Sequence, residues 1–272
     1  MVTSSHVLPD ASPAFGCNVA ILDSGTLTIE EYGNHLSVNE RETYARLSTP
    51  GQRTRWMAGR LAAKYLFLSS PGRARLQRKP TLSHLSSEAL RVFSPWLYRQ
   101  IEVVVMVGGK PGLSWCGEAR AESISLSHSN GVSCACLGMD ASVGVDIETT
   151  VSRLDAFYRQ NFTAAERSWA TSNSIRSDWL FTLLWSLKES ALKLSLPTQA
   201  AGVWDIPKIE ITCLPAPEQI GKFWSGKAID EEFAVFNARV EAASRSLPVR
   251  VAVNGKDNFV LAVMNTLEGV VQ

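Results

Sequence analysis

The stretch Val143-Gly144-Val145-Asp146-Ile147-Glu148 alternates apolar with non-apolar residues, and that period of two predicts a strand. Val143, Val145 and Ile147 turn to one face, Gly144, Asp146 and Glu148 to the other. Two carboxylates are then held side by side. Like charges that close raise each other's pKa unless a cation neutralises them, which makes a hard divalent ion the natural third party. Further along, Trp185-Ser186-Leu187-Lys188-Glu189-Ser190-Ala191-Leu192-Lys193 lies inside a helix predicted over 177–195. Leu180, Leu183, Leu184, Leu187, Ala191 and Leu194 fall there on one stripe at helical spacing. Glu189 and Lys193 lie on the far side, one turn apart. A solvated pair of that spacing is common and contributes only about 0.2–0.5 kcal/mol. Trp185, one turn before Glu189 on the same side, points instead to a side covered by protein or ligand.

Working outward, alternation predicts strands over 18–22, 101–107, 121–126, 132–138 and 142–148, then over 208–214, 233–240, 249–253 and 259–264. Helices are predicted over 38–47, opened by a Ser37-x-x-Glu40 capping box, and over 53–68, 83–93, 154–160 and 164–170. Each half of the chain thus holds a helix-rich stretch and several strands, with the break near 139–142. No internal repeat is visible in the residues themselves.

At 272 residues the chain can bury a sizeable core as one domain or two small ones, and 45% hydrophobic content is that of a globular protein. Lys+Arg 27 against Asp+Glu 26 leaves a formal charge of +1, which argues against bulk attraction to nucleic acid or to an anionic membrane. Any anion site has to be local. The cysteines at 17, 116, 134, 136 and 213 form no Cys-x-x-Cys pair, and Cys134 and Cys136 share one strand face without bridging geometry. Structural thiols in a reducing cytoplasm are expected. No apolar run reaches the length of a membrane span, and the first ten residues lack the pattern of an export signal.

The two deciding stretches resemble the signature motifs of the Sfp-type 4'-phosphopantetheinyl transferases, a Gly-x-Asp-x-Glu strand and a Trp-Ser-x-Lys-Glu-Ser-x-x-Lys helix. Further likenesses follow in the family's order: Arg55-Trp56-Met57-Ala58-Gly59-Arg60, Gly109-Lys110-Pro111, Ser125-Leu126-Ser127-His128-Ser129 and Asn161-Phe162-Thr163-x-x-Glu166. The likeness runs from about residue 53 to residue 196 and rests on the order and spacing of short motifs, each weak alone. It implies an α+β fold of two pseudo-symmetric halves, each a small, mainly antiparallel sheet packed with helices, with the active site at their interface. Residues 1–140 would form the N-terminal half, with the nucleotide contacts, and residues 141–272 the C-terminal half, with the metal motifs and the catalytic helix.

The implied reaction is Mg2+-dependent transfer of the 4'-phosphopantetheine arm of coenzyme A to a serine of an acyl or peptidyl carrier protein, releasing adenosine 3',5'-bisphosphate. Asp146, Glu148 and Glu189 would ligate Mg2+, with Mn2+ as a substitute. Gly144 would leave room for the phosphates, an alternative being a small residue in a tight strand. By resemblance Lys193 serves the leaving phosphate oxygen and Lys188 contacts phosphate, while Arg55, Arg60, Lys110, Pro111, Ser127 and His128 hold coenzyme A. Glu189, or a metal-bound water beside it, is the implied base. Glu166 matches a position that adds a metal-shell or base group, and Thr163-x-x-Glu166 equally reads as a capping box. The implied partners are coenzyme A and an apo-carrier, with no nucleic acid and no membrane, and the protein is expected to be a cytoplasmic monomer; Arg73, Arg75 and Arg78 are nominated to meet an acidic carrier helix. Two rivals keep the same residues: a metal-dependent pyrophosphate hydrolase and a non-catalytic coenzyme A-binding protein.

Overall fold

The computed structural model describes residues 16–70, 81–106, 108–139, 142–172, 176–195, 206–221, 234–242, 245–256 and 259–266. The nominated Arg73, Arg75 and Arg78 lie outside them. The first part of the chain runs β1 (Cys17–Asp23), α1 (Ile29–Tyr32), α2 (Val38–Arg46), α3 (Pro50–Ser69), β2 (Thr81–Leu85), α4 (Pro95–Gln100), β3 (Ile101–Val105), β4 (Pro111–Trp115), β5 (Glu118–Ala119), β6 (Ser123–Ser129) and β7 (Val132–Gly138). Then come β8 (Val143–Thr149), α5 (Asp155–Asn161), α6 (Ala164–Thr171), α7 (Ser177–Ser195), β9 (Ile209–Thr212), α8 (Pro217–Gly221), β10 (Ala234–Ala242), β11 (Arg245–Lys256) and β12 (Phe259–Thr266). The fold is α+β, as the resemblance implies.

Local chemistry sets these boundaries. Ser37 and Thr163 each close a full capping box with the glutamate three residues on, opening α2 and α6, and Thr49 caps α3 just before Pro50. Asn130 and Gly131, at φ 43° and 83°, make the two-residue turn that pairs β6 with β7, a backbone only such residues adopt cheaply. The helix expected over 83–93 is replaced by strand β2 and a single 3-10 turn, Ala89–Val92. β2 pairs in parallel with the outer edge of β1, burying Leu82 and Leu85, and that tertiary partner outweighs local helical preference.

The strands form a four-stranded sheet in the order β2-β1-β7-β6, a five-stranded antiparallel sheet β8-β12-β11-β10-β9, and a small sheet β3-β4-β5. α3 covers the first sheet through Ala20, Leu22, Leu61 and Leu137, and α7 covers the second through Leu184, Leu187, Val251 and Ala262. The other faces of the two large sheets meet in a third core of Val19, Cys134 and Cys136 against Val143, Val145 and Ile147. Cys134 and Cys136 do share one face, both unbridged, and burial pushes the Cys134 thiol up to about 12. Helix, sheet, sheet and helix stack in that order.

The two halves repeat one plan. β1 pairs with β7 as β8 pairs with β12, and β6 with β7 as β11 with β12. The repeat extends to a buried ion pair. In the first half Lys64 on α3 bonds the Glu40 carboxylate and the His35 carbonyl, and Glu40 Oε1 accepts from the Val103 N–H of β3. In the second, Lys188 on α7 bonds Glu166 Oε2 (2.8 Å) and the Asn161 carbonyl (2.8 Å), and Glu166 Oε1 accepts from the Ile211 N–H of β9 (3.0 Å). Each strut ties a capping box to the long helix. The halves differ where β10 and β11 join one sheet while β4 and β6 belong to separate sheets.

Candidate active site

Four serines fasten the halves together. β8 is an edge strand, so its outward N–H groups have no strand to donate to. The alternating Ser123, Ser125 and Ser129 of β6 accept from the N–H groups of Val143 (3.2 Å), Val145 (3.0 Å) and Thr149 (3.2 Å). Ser129 Oγ also donates to Glu148 Oε2 at 3.2 Å, and Ser127 Oγ to Asp146 Oδ1 at 2.7 Å. The alternation of serine over 123–129 is the visible signal of this seam.

Asp146 stands at the centre, 3% exposed. Besides Ser127, its Oδ1 accepts from Lys193 Nζ (2.8 Å), and its Oδ2 accepts from Ser186 Oγ (2.8 Å). Glu148, next on the same face of β8, and Glu189, from α7, are half-buried beside it. Burial first, then the charge of Asp146, raises both carboxyls above the usual range. Trp185 is half-buried on the ring of Phe157 (5.0 Å), so the side of α7 that bears Glu189 is covered, as its sequence suggested. Among the described residues no three His, Cys, Asp or Glu side chains are already gathered at a spacing that holds a metal ion. The Lys193 ammonium stands on Asp146 instead. The donor set itself fits a hard divalent cation: oxygen-only, partly buried, and mutually repelling until a second positive charge arrives.

Lys193 also lines a cavity of about 280 Å³ that opens where the first half's sheet splits, between β3 and β4 on one side and β6 on the other. Its other charged residues are Arg60 and Lys110, with Pro111 and Ser125 beside them. All three charges are positive. Burial pushes Arg60 down to about 10 and lowers Lys110, so both gain from an anion. The Arg60 guanidinium stacks 3.5 Å from the centre of the Trp56 ring, and its buried Nε has no hydrogen-bond partner among the described residues. A larger cavity of about 570 Å³, lined by Phe67, Trp115, Arg120 and Glu122, contains none of the candidate residues and mixes both charges.

The remaining expected residues have other partners or positions. Lys188 and Glu166, with side chains 0% and 1% exposed, are consumed by the buried strut and cannot meet a ligand without breaking it. The capping-box reading of Glu166 is the one realised. Gly144 makes room for α7 and not for phosphate: a Cβ there would stand 2.0 Å from the Ser190 carbonyl oxygen. Ser127 spends its hydroxyl on Asp146. Arg55, near the start of α3, and the exposed His128 are not among the residues lining the cationic cavity. Ser186 escapes the sequence reading, although it lies on the same helix as Glu189 and one turn before Ser190.

Residues 142–244, from the start of β8 past β10, match the family model of the 4'-phosphopantetheinyl transferase superfamily. That stretch is therefore similar to a domain of that superfamily. Comparison with curated proteins gives no match. No helix among the described residues is long and apolar enough to cross a membrane.

Proposed function

We propose that this chain is an Sfp-type 4'-phosphopantetheinyl transferase, moving the phosphopantetheine arm of coenzyme A to a carrier-protein serine with Mg2+ and releasing adenosine 3',5'-bisphosphate. The observation that carries this reading is the position of Lys193, shared between the Asp146 carboxylate and an all-cationic cavity. The proposed metal ligands and the cationic cavity are thereby adjacent, which suits a pyrophosphate substrate.

Asp146, Glu148 and Glu189 would hold Mg2+, or Mn2+ in its place. The ion would supply positive charge against the pyrophosphate oxygens. Arg60 and Lys110, already partly desolvated, bind phosphate oxygens, and Lys193 stays with the leaving oxygen. Glu189, whose carboxyl burial raises above the usual carboxylate value, takes the proton of the incoming serine directly or through a water. His128 and Arg55 contact the nucleotide end only through a coenzyme A that extends beyond the cavity. In this reading residues 1–140 hold the nucleotide and residues 141–272 the metal, and the enzyme works as a cytoplasmic monomer.

The test is incubation with coenzyme A, Mg2+ and a panel of apo-carriers, followed by mass spectrometry of the carriers. The expected product carries the added arm. Carriers left unchanged while coenzyme A is cleaved would favour a hydrolase, and unchanged carriers with intact coenzyme A would leave a binding protein.

A further inference from the structure

Ser186 is fully buried, so no substrate reaches it, yet its hydroxyl lies 2.8 Å from Asp146 Oδ2 and 3.2 Å from the Asp146 carbonyl oxygen. It has one proton to give, and the shorter contact takes it. On the opposite oxygen, Oδ1, Ser127 donates at 2.7 Å and Lys193 at 2.8 Å. An ionised carboxylate offers about four lone-pair sites. Two are filled on Oδ1 and one on Oδ2, which leaves Oδ2 with the open site.

The two serines come from different halves, Ser127 from β6 and Ser186 from α7. A carboxylate held at one oxygen can rotate about its last bond, whereas one held at both has its plane fixed. We propose that Ser127 and Ser186 are positioning residues that hold Asp146 as a one-oxygen ligand, presenting Oδ2 to the divalent cation. The proposal rests on the transferase reading above and assigns Ser127 to the metal rather than to coenzyme A. The seam between the halves thereby acquires a second role, because the metal site assembles only when both halves are in place.

The test is Mn2+ titration of the full chain followed by electron paramagnetic resonance, for wild type, Ser186→Ala, Ser127→Ala and Ser127→Thr. Coenzyme A affinity without metal and the melting temperature are measured alongside. Both alanine variants should bind Mn2+ on the order of 10–100-fold more weakly, with coenzyme A affinity unchanged. Ser127→Thr, which keeps a hydroxyl, should bind Mn2+ like the wild type. Should Ser186→Ala fail to fold, the Ser127 pair decides alone. Alanine variants that melt lower but bind Mn2+ normally would make the serines mere packing, overturning this proposal while the transferase reading stands. A wild-type chain that binds no Mn2+ and transfers no arm would overturn both.

Discussion

A methyl group added at Gly144 would stand 2.0 Å from the Ser190 carbonyl oxygen and 2.9 Å from the Leu194 nitrogen. Both are backbone atoms, so relief requires moving α7 away from β8. Gly144→Ala should therefore cost about 3 kcal/mol in a chemical denaturation curve, and activity should fall as Glu189 and Lys193 shift. Alternation tells which residues share a face with Gly144 but not what stands against it, which is why the space reads as room for phosphate from sequence alone. The carboxylates allow a sharper test. Glu148 and Glu189 are raised by burial and by Asp146, so each binds its proton more tightly folded than unfolded. As pH rises from the ordinary carboxylate value through the raised one, the folded state loses stability. Glu189→Gln removes that penalty. Without metal at neutral pH it should be more stable, while arm transfer drops on the order of a thousandfold. A less stable variant, or one that transfers at full rate, contradicts the assignment.

Elements were legible in proportion to how much of their stability is local. The span of α7 was readable from its leucine stripe, and α2 and α6 from their capping boxes, because those signals lie within one segment. β2 and the split between β4 and β6 were not, since both depend on partners distant in the chain. Lys188 shows the same limit: its neighbours on α7 are chemical, but its partners, Asn161 and Glu166, come from α5 and α6. Breaking the strut by Lys188→Met leaves the Glu166 carboxylate buried and unpaired, which should destabilise the chain by about 3–5 kcal/mol. The fraction that remains folded should keep its KM for coenzyme A. A raised KM in folded protein would return Lys188 to the phosphates.

At the scale of the molecule, one plan was used twice, and the cluster of Asp146, Glu148, Glu189 and Lys193 occurs once among the described residues. Counting from the capping glutamates, Asp146 and Glu148 correspond to Ala20 and Leu22, which lie in the apolar core under α3. Counting from the strut lysines, Glu189 and Lys193 correspond to Tyr65 and Ser69. Because the repeat survives in partners and pairing and not in residue identities, no comparison of the residues alone revealed it. The first half instead supplies the serine edge and, where its sheet splits, the cationic cavity. In the proposed function both halves close on the same ligands, so metal and coenzyme A together should stabilise the whole chain. At a hundredfold excess over its dissociation constant, a ligand bound only by the folded state adds about 2.7 kcal/mol. EDTA should reverse the metal's share of that rise in a thermal melt and abolish arm transfer. The most direct measurement is anomalous diffraction from crystals grown with Mn2+ and coenzyme A. The account predicts a manganese peak joined to Asp146, Glu148 and Glu189, with the pyrophosphate alongside Arg60, Lys110 and Lys193. A peak elsewhere, or coenzyme A bound away from that cavity, would contradict it.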